Sequence, residues 1–215
     1  MKNVNGWMFP DEDEFMSKHI GKDGSYQRVH LEAAVQYTPR RHTAFDGGAH
    51  VGTWSRLLSS SFKRVIAIEP SADTFECLTT NLATFKCENV LAFQRALGRE
   101  SSMARMTLEG FERAQKLMNT GARFVRPGNE VEVCTIDSFN LEHLDLLKLD
   151  IEGSEVDALL GAEKTLLRLR PTILFENKGL WKRYGYKRDR PQAILTGYGA
   201  RKVARVGCDE IWAWR

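Results

Sequence analysis

A doubly wound α/β sheet with its final strand turned antiparallel is the architecture this sequence predicts. Three observations predict it. Short apolar runs, several ending in an acid, recur along the chain as "VIAIE", "LLKLD" and "TILFE", the pattern of parallel strands covered on both faces. Amphipathic stretches at helical spacing lie between them, as alternating βα units require. The last segment, "RKVARVGCDEIWAWR", holds two strand-like runs joined at Gly207-Cys208-Asp209, a tight turn that reverses the chain.

Taken in order, residues 1–28 read as an irregular polar segment whose Trp7, Phe9, Pro10, Phe15 and Tyr26 predict packing on the body. "RVHLEAAVQY" (28–37) reads as a helix stopped by Pro39. Residues 1–40 are therefore expected to form an N-terminal extension, and 41–215 the main domain. Strands are expected at 43–46, 64–69, 90–97, 130–137, 146–150, 172–176, 201–207 and 210–215. "TWSRLLSSSF" is helix-like. Over 73–85, Phe75, Leu78, Leu82 and Phe85 share a helical face, and over 154–169 Val156, Leu159, Leu160 and Leu167 do the same. Ser154 is placed to cap the second of these, with Asp157 three residues on, and Pro171 closes it. Pro191 opens a further helix in "RPQAILTGYG". Residues 98–129 break the alternation and read as an insertion, with a short helix expected in "EGFERAQKLMN".

Composition removes several classes. At 215 residues, 42% hydrophobic and 27% charged, the chain has the make-up of a globular domain with a full core. A net charge of +3 is too mild to imply nucleic acid by itself. No apolar run approaches membrane-spanning length. The opening "MKNVNGWMFPDEDEFMSKH" has no apolar signal core and carries four clustered acids, which argues against a secretory leader. The four cysteines, Cys77, Cys87, Cys134 and Cys208, form no CxxC pair, so reduced thiols in a cytoplasmic protein are expected. The five histidines lack metal-ligand spacing, and no metal is expected from spacing.

The chemistry-bearing stretch is "FDGGAHVG" (45–52), which leads from a strand into a helix. Ligands of open α/β sheets bind outside the carboxyl ends of the strands. Gly48 and Gly52 would let a ligand approach the main chain. The next strand ends in Glu69-Pro70, 17 residues after Gly52. An acid there can accept hydrogen bonds from both hydroxyls of a ribose, with Pro70 stiffening the turn. A dinucleotide fits less well: the loop reads Gly47-x-Ala49-x-x-Gly52 rather than GxGxxG. Asp46 at its start would repel a pyrophosphate, yet it can bridge to the ammonium of a methionine moiety. The alternative is a plain glycine turn with Glu69 as a cap.

"FDGGAHVGTWS", "VIAIEPSADTFECLTTNL", "NVLAFQRALG", "VCTIDSF" and "LLKLDIEGSEVDALLGAEKTLLRLRPTILFEN" together resemble the FkbM family of class I S-adenosylmethionine-dependent methyltransferases. The last segment is the most specific. The resemblance covers somewhat over half of the chain. It implies a Rossmann-like, doubly wound, seven-stranded sheet with an antiparallel C-terminal strand, S-adenosyl-L-methionine as cofactor, and O-methylation of a hydroxyl. Carried onto this chain, Asp46, Gly47, Gly48, His50 and Gly52 line the methionine side of the cofactor, Glu69 and Pro70 serve the ribose, and Gln94 and Ala96 border the adenine. Many class I enzymes have Asp or Asn near that last place, where this chain has Gln94-Arg95. The N-terminal 28 residues and the 98–129 segment carry little of the signature, and substrate choice is expected there.

Methyl transfer needs in-line placement of the acceptor, and a hydroxyl must also lose its proton. Asp150 in "LKLDIEGSE" is the first candidate to face cofactor and acceptor and to act as base, followed by Glu152 and Glu176. His50 is a further candidate base. Glu155 and Asp157 are expected only to complement the helix dipole. Close carboxylates can also take a divalent ion, although no spacing demands one. "NKGLWKRYGYKRDR" (177–190) interleaves Lys178, Lys182, Arg183, Lys187, Arg188 and Arg190 with Trp181, Tyr184 and Tyr186. It suits an anionic small acceptor or glycan, or a nucleic acid strand stacking on the aromatics, or is a solvated basic loop. A carbohydrate or other small polar acceptor is the first reading. An RNA or nucleotide methyltransferase, weakened by Asp150-Ile151-Glu152-Gly153 in place of an Asn/Asp-Pro-Pro-Tyr/Phe segment, and a non-catalytic cofactor-fold binding protein are the alternatives.

Overall fold

The computed structural model describes residues 1–20, 26–108 and 118–214. The chain opens with a hairpin of β1 (Lys2–Val4) and β2 (Trp7–Phe9), then α1 (Phe15–His19) and α2 (Arg28–Gln36). There follow β3 (Thr43–Gly47), α3 (Thr53–Ser59), β4 (Arg64–Ile68), α4 (Ala72–Thr84) and β5 (Val90–Phe93). Next come β6 (Ala96–Leu97), β7 (Ser102–Thr107), β8 (Phe124–Pro127), β9 (Val131–Cys134) and β10 (Leu146–Leu149). The chain ends with α5 (Glu155–Leu160), α6 (Glu163–Leu169), β11 (Thr172–Glu176), α7 (Arg190–Gly197), β12 (Arg201–Val206) and β13 (Asp209–Ala213).

Among the described residues the main sheet has seven strands in the order β12-β13-β11-β10-β3-β4-β5. All of its pairings are parallel except those of β13, which runs antiparallel to both neighbours. The central strands are largely apolar because alternate side chains meet helices on opposite faces. Phe45, Ile66, Leu147 and Ile173 join one buried cluster with Val156, Leu159, Leu166 and Leu195 of α5–α7. Their neighbours Ala44, Val65, Leu146 and Leu174 join a second with Leu31, Trp54 and Leu58 of α2 and α3. Leu78 and Leu82 carry α4 onto Ala67.

Several expectations need correction. The run 90–97 is two strands: after Phe93 the chain leaves the main sheet at Gln94-Arg95, and β6 belongs to a second sheet ordered β6-β9-β7-β8. The 130–137 run lies there too, as β9. The 98–129 segment supplies β7 and β8 to that sheet, while the helix expected in "EGFERAQKLMN" lies largely outside the described residues. Residues 1–28 are not irregular throughout. Trp7 and Phe9 of the hairpin are buried with Met16, Val51 and Cys77, and Asn81 of α4 clamps the hairpin by accepting from the Met8 N–H (2.7 Å) and donating to its carbonyl (2.9 Å). The helix over 154–169 is broken into α5 and α6. A Cβ on Gly161 would stand 2.1 Å from the Gly98 carbonyl oxygen, and the Gly161 carbonyl accepts from the Asp137 N–H (2.9 Å) where the chain crosses from the second sheet. Ser154 makes no side-chain cap. Its hydroxyl reaches Tyr184 Oη at 3.4 Å instead.

Candidate active site

Strand order reverses at β3, whose neighbours are β4 on one side and β10 on the other. The loops leaving the carboxyl ends of β3 and β10 therefore diverge, and a crevice opens between them. A cavity of about 260 Å³ fills it. Gly48 and His50 of the glycine loop line this cavity with Glu69, Pro70, Ala96, Asp150, Glu152 and Glu176 from other strand ends. Phe15, Met16, Tyr26 and Gln27 add a wall from the N-terminal segment. Gln94 faces an adjoining groove of about 310 Å³, which shares Pro70, Ser71, Met106 and Arg123 with the cavity. Asp46, Gly47 and Gly52 lie behind the cavity wall rather than on it.

The glycines answer to the protein's own packing. Gly48 has φ +79°, and a Cβ there would sit 1.8 Å from the Asp150 carbonyl oxygen. A Cβ on Gly52, at φ +93°, would meet Leu78 Cδ1 of α4 at 2.8 Å. The missing side chains let β10 and α4 close on the loop, and only Gly48 also lines the cavity.

Asp46 is fully buried, and its carboxylate has partners within the chain. Ser55 Oγ donates to Oδ2 (2.7 Å), and the Lys148 ammonium lies 3.0 Å from Oδ1, off the line of a good hydrogen bond and so an ion pair. Lys148 Nζ also donates to the Gly48 carbonyl at 2.7 Å. Burial opposes the charge on Lys148, but Asp46 and then Asp150 outweigh it and raise its pKa. Sequence reading missed Lys148. The signal was present, since a lysine inside the apolar run "LLKLD" must be paired if that run is a central strand. The register sets Lys148 beside Asp46 on the adjacent strand.

Glu69 ends β4 as a buried carboxylate. Its Oε2 accepts from the His50 N–H (3.0 Å) and its Oε1 from the Ser71 N–H (2.9 Å). Burial raises its pKa to about 7 against the lowering effect of those two bonds. His50 stands at φ +50°, a left-handed conformation that the bond to Glu69 helps hold. Burial lowers its pKa to about 4, so the imidazole is neutral at pH 7.

Across the cavity, Asp150, Glu152 and Glu176 bring carboxylate oxygens within 4.8 Å of one another. Lys178 Nζ lies 2.6 Å from Glu176 and 3.9 Å from Glu152. Burial and then the Asp150 charge raise Glu152 to about 7 and Glu176 to about 9. Such a cluster can receive protons near neutrality or take up a divalent cation. Glu155 is not a surface dipole partner. It is buried, and its Oε1 accepts from the N–H groups of Ile151 (3.1 Å) and Gly153 (3.2 Å), pinning the turn that carries Glu152. Asp157 accepts from the Tyr186 hydroxyl at 2.6 Å.

The aromatics of the basic loop turn inward. Trp181 is fully buried and its indole N–H donates to the carbonyls of Lys187 (3.0 Å) and Arg188 (3.2 Å). The Tyr184 hydroxyl donates to the Val125 carbonyl at 3.0 Å. Lys182, Lys187, Arg188 and Arg190 are exposed. Among the described residues no helix is long and apolar enough to cross a membrane.

Comparison with known proteins bears on family and fold. The chain is 25% identical over 176 residues to "Methyltransferase 1" of Beauveria bassiana (strain ARSEF 2860), covering 71% of this chain and 68% of the relative. Its fold is similar to the crystal structure of the methyltransferase FkbM from Methylobacillus flagellatus KT, with TM-score 0.52 and 18% identity, covering 81% of this chain. It spans only 44% of that protein. It is likewise similar to the precorrin-6y C5,15-methyltransferase of Geobacter metallireducens GS-15, with TM-score 0.52 and 14% identity over 92% of this chain and 91% of that one. These structural likenesses concern the fold, here the Rossmann-like sheet of class I methyltransferases. The FkbM methyltransferase domain model matches residues 46–199, from the buried acid of β3 to just beyond α7, and the chain is a member of the FkbM methyltransferase family.

Proposed function

We propose that the protein transfers a methyl group from S-adenosyl-L-methionine to a hydroxyl oxygen of a carbohydrate or another small polar acceptor. The observation that carries this is a single cavity with Glu69 on one side and the Asp150, Glu152 and Glu176 carboxylates on the other. The residues fit the cofactor. Each Glu69 oxygen accepts one backbone N–H and keeps a lone pair for a ribose hydroxyl. Pro70 and Ala96 border the same space, and Gln94 the groove that continues it, which suits the adenine. Asp46 is held by Lys148 and Ser55, so its contribution is to fix the loop from behind. When bound, the sulfonium supplies an electrophilic methyl group.

The chain's own part is to hold the acceptor in line and receive its proton. Asp150 faces the cavity. Glu152, with a pKa near 7, is the group with proton affinity suited to that transfer at neutral pH, whereas Glu176, raised to about 9, already holds its proton there. The three carboxylates favour a neutral hydroxyl over an anion at the reacting position. Phe15, Tyr26, Met106 and Asn119 on the cavity wall support substrate choice by the N-terminal extension and the 98–129 segment. The four cysteines are free, which suits a cytoplasmic protein.

A second reading, methylation of RNA, is favoured by the exposed Lys182, Lys187, Arg188 and Arg190 next to β11. The test has two steps. Calorimetry with S-adenosylmethionine, S-adenosylhomocysteine and NAD is expected to give binding of the first two alone; NAD binding without them removes the proposal. Labelled methyl transfer is then run on glycans, nucleosides and RNA, with and without a chelator. Label on glycan hydroxyls is expected; label on RNA alone selects the second reading, and binding with no acceptor labelled selects a non-catalytic protein.

A further inference from the structure

Three segments distant in sequence meet at the His50 ring. Thr120 Oγ1 lies 2.9 Å from His50 Nε2 and itself donates to Asp13 Oδ2 at 2.8 Å. Asp13 and Thr120 are buried, and Asp13 accepts two further bonds: Oδ1 from the Ser17 N–H (2.9 Å) and Oδ2 from the Thr120 N–H (3.3 Å). The Glu14 and Phe15 N–H groups both donate to the Met118 carbonyl, so the N-terminal segment and the 118–122 turn are docked as one piece.

The chain of bonds has a fixed direction. Asp13 Oδ2 accepts the Thr120 hydroxyl hydrogen, so the hydroxyl oxygen must accept from His50. That places the imidazole hydrogen on Nε2. His50 Nδ1 is then a bare acceptor, buried in the unliganded protein and without a hydrogen-bond partner among the described residues. A buried acceptor left unmade is costly, and His50 lines the cavity beside Glu69, to which its own N–H is bonded.

We infer that Asp13 and Thr120 are positioning residues that lock His50 in its Nε2–H tautomer, so that Nδ1 accepts a hydrogen bond from a hydroxyl of the bound nucleoside. This deepens the reading above and rests on it for the ligand. Phosphates and carboxylates have no hydrogen to offer and do not satisfy this nitrogen, whereas a ribose hydroxyl does.

The test is long-range 1H–15N correlation on protein labelled at histidine, with His50→Gln identifying the resonances. In the unliganded native protein His50 is expected as the neutral Nε2–H form. Asp13→Ala frees the Thr120 hydroxyl to donate to Nε2 and is expected to shift His50 toward the Nδ1–H form. Thr120→Val removes the lock and is expected to give mixed tautomers and about tenfold weaker S-adenosylhomocysteine binding, with Thr120→Ser restoring both. Saturating S-adenosylhomocysteine is expected to move the Nδ1 resonance of the native protein. A native Nδ1–H tautomer, a tautomer indifferent to both substitutions, or bound S-adenosylhomocysteine with Nδ1 unmoved would each overturn the inference. Absence of S-adenosylhomocysteine binding by the native protein defeats the functional reading instead, and the tautomers of the unliganded protein still judge the lock.

Discussion

Lys148 and Asp46 carry opposite charges at the middle of the sheet, 3% and 0% exposed at their side chains. A buried pair of this kind is weak evidence of stability, but removing one partner strands the other. Lys148→Met should therefore cost about 3–5 kcal/mol in urea melts, and adding Asp46→Asn should recover much of that loss; additive losses would show that the two charges act independently. Glu155 gives a pH signature. Burial raises its pKa from 4.5 to about 7, so the native state binds this proton more tightly than the unfolded chain does. Below about pH 4.5 the carboxyl is neutral in both states and brings no penalty. The penalty develops as pH rises through the window up to about 7. The stability of the native protein relative to Glu155→Gln should fall on the order of 2–3 kcal/mol between about pH 4 and about pH 8, and a difference flat with pH would refute the assignment. Strand-end acids such as Glu69 and Asp150 were legible because a carboxylate closing an apolar run has few structural uses. Lys148 and Glu155 were not, since each is explained by a partner that only the register or the loop path brings near.

At the scale of elements, legibility followed burial. Strands covered on both faces, such as β4, β10 and β11, announce themselves as apolar runs. β7, "SMARMT", leaves most of its residues exposed or half-buried, so its sequence resembles a loop and the second sheet went unseen. The break between α5 and α6 was invisible for another reason. Apolar positions keep helical phase across it, and the interruption comes from backbone meeting backbone at Gly98 and Gly161. Neither main chain can step aside as a side-chain tip would. Gly161→Ala should thus destabilise by about 1–3 kcal/mol or more, read as a lowered thermal midpoint, even though alanine is the better helix former. A raised midpoint would mean that the crossing is looser than a 2.1 Å approach allows.

For the whole molecule, charge and aromatic content mislead unless it is known which side of the chain faces inward. The 177–190 loop has the composition of a nucleic-acid platform, yet Trp181 packs edge-on to Phe175 with ring centroids 6.3 Å apart and belongs to the same buried cluster as the central strands. No stacking surface remains on that ring, and the exposed cations stand without it. Trp181→Ala should behave as a core truncation, costing about 3–5 kcal/mol and lowering the thermal midpoint in nucleic-acid-free buffer. The combined change of Lys182, Lys187, Arg188 and Arg190 to Gln should leave that midpoint nearly unaltered, because surface charges contribute little to folding. It should also leave methyl transfer to a neutral acceptor within about twofold, since the reacting end of the cavity is built from carboxylates. If turnover instead falls steeply, and the native rate itself declines with added salt in proportion to released counterions, the acceptor is a polyanion, and these four cations are its track into the cavity.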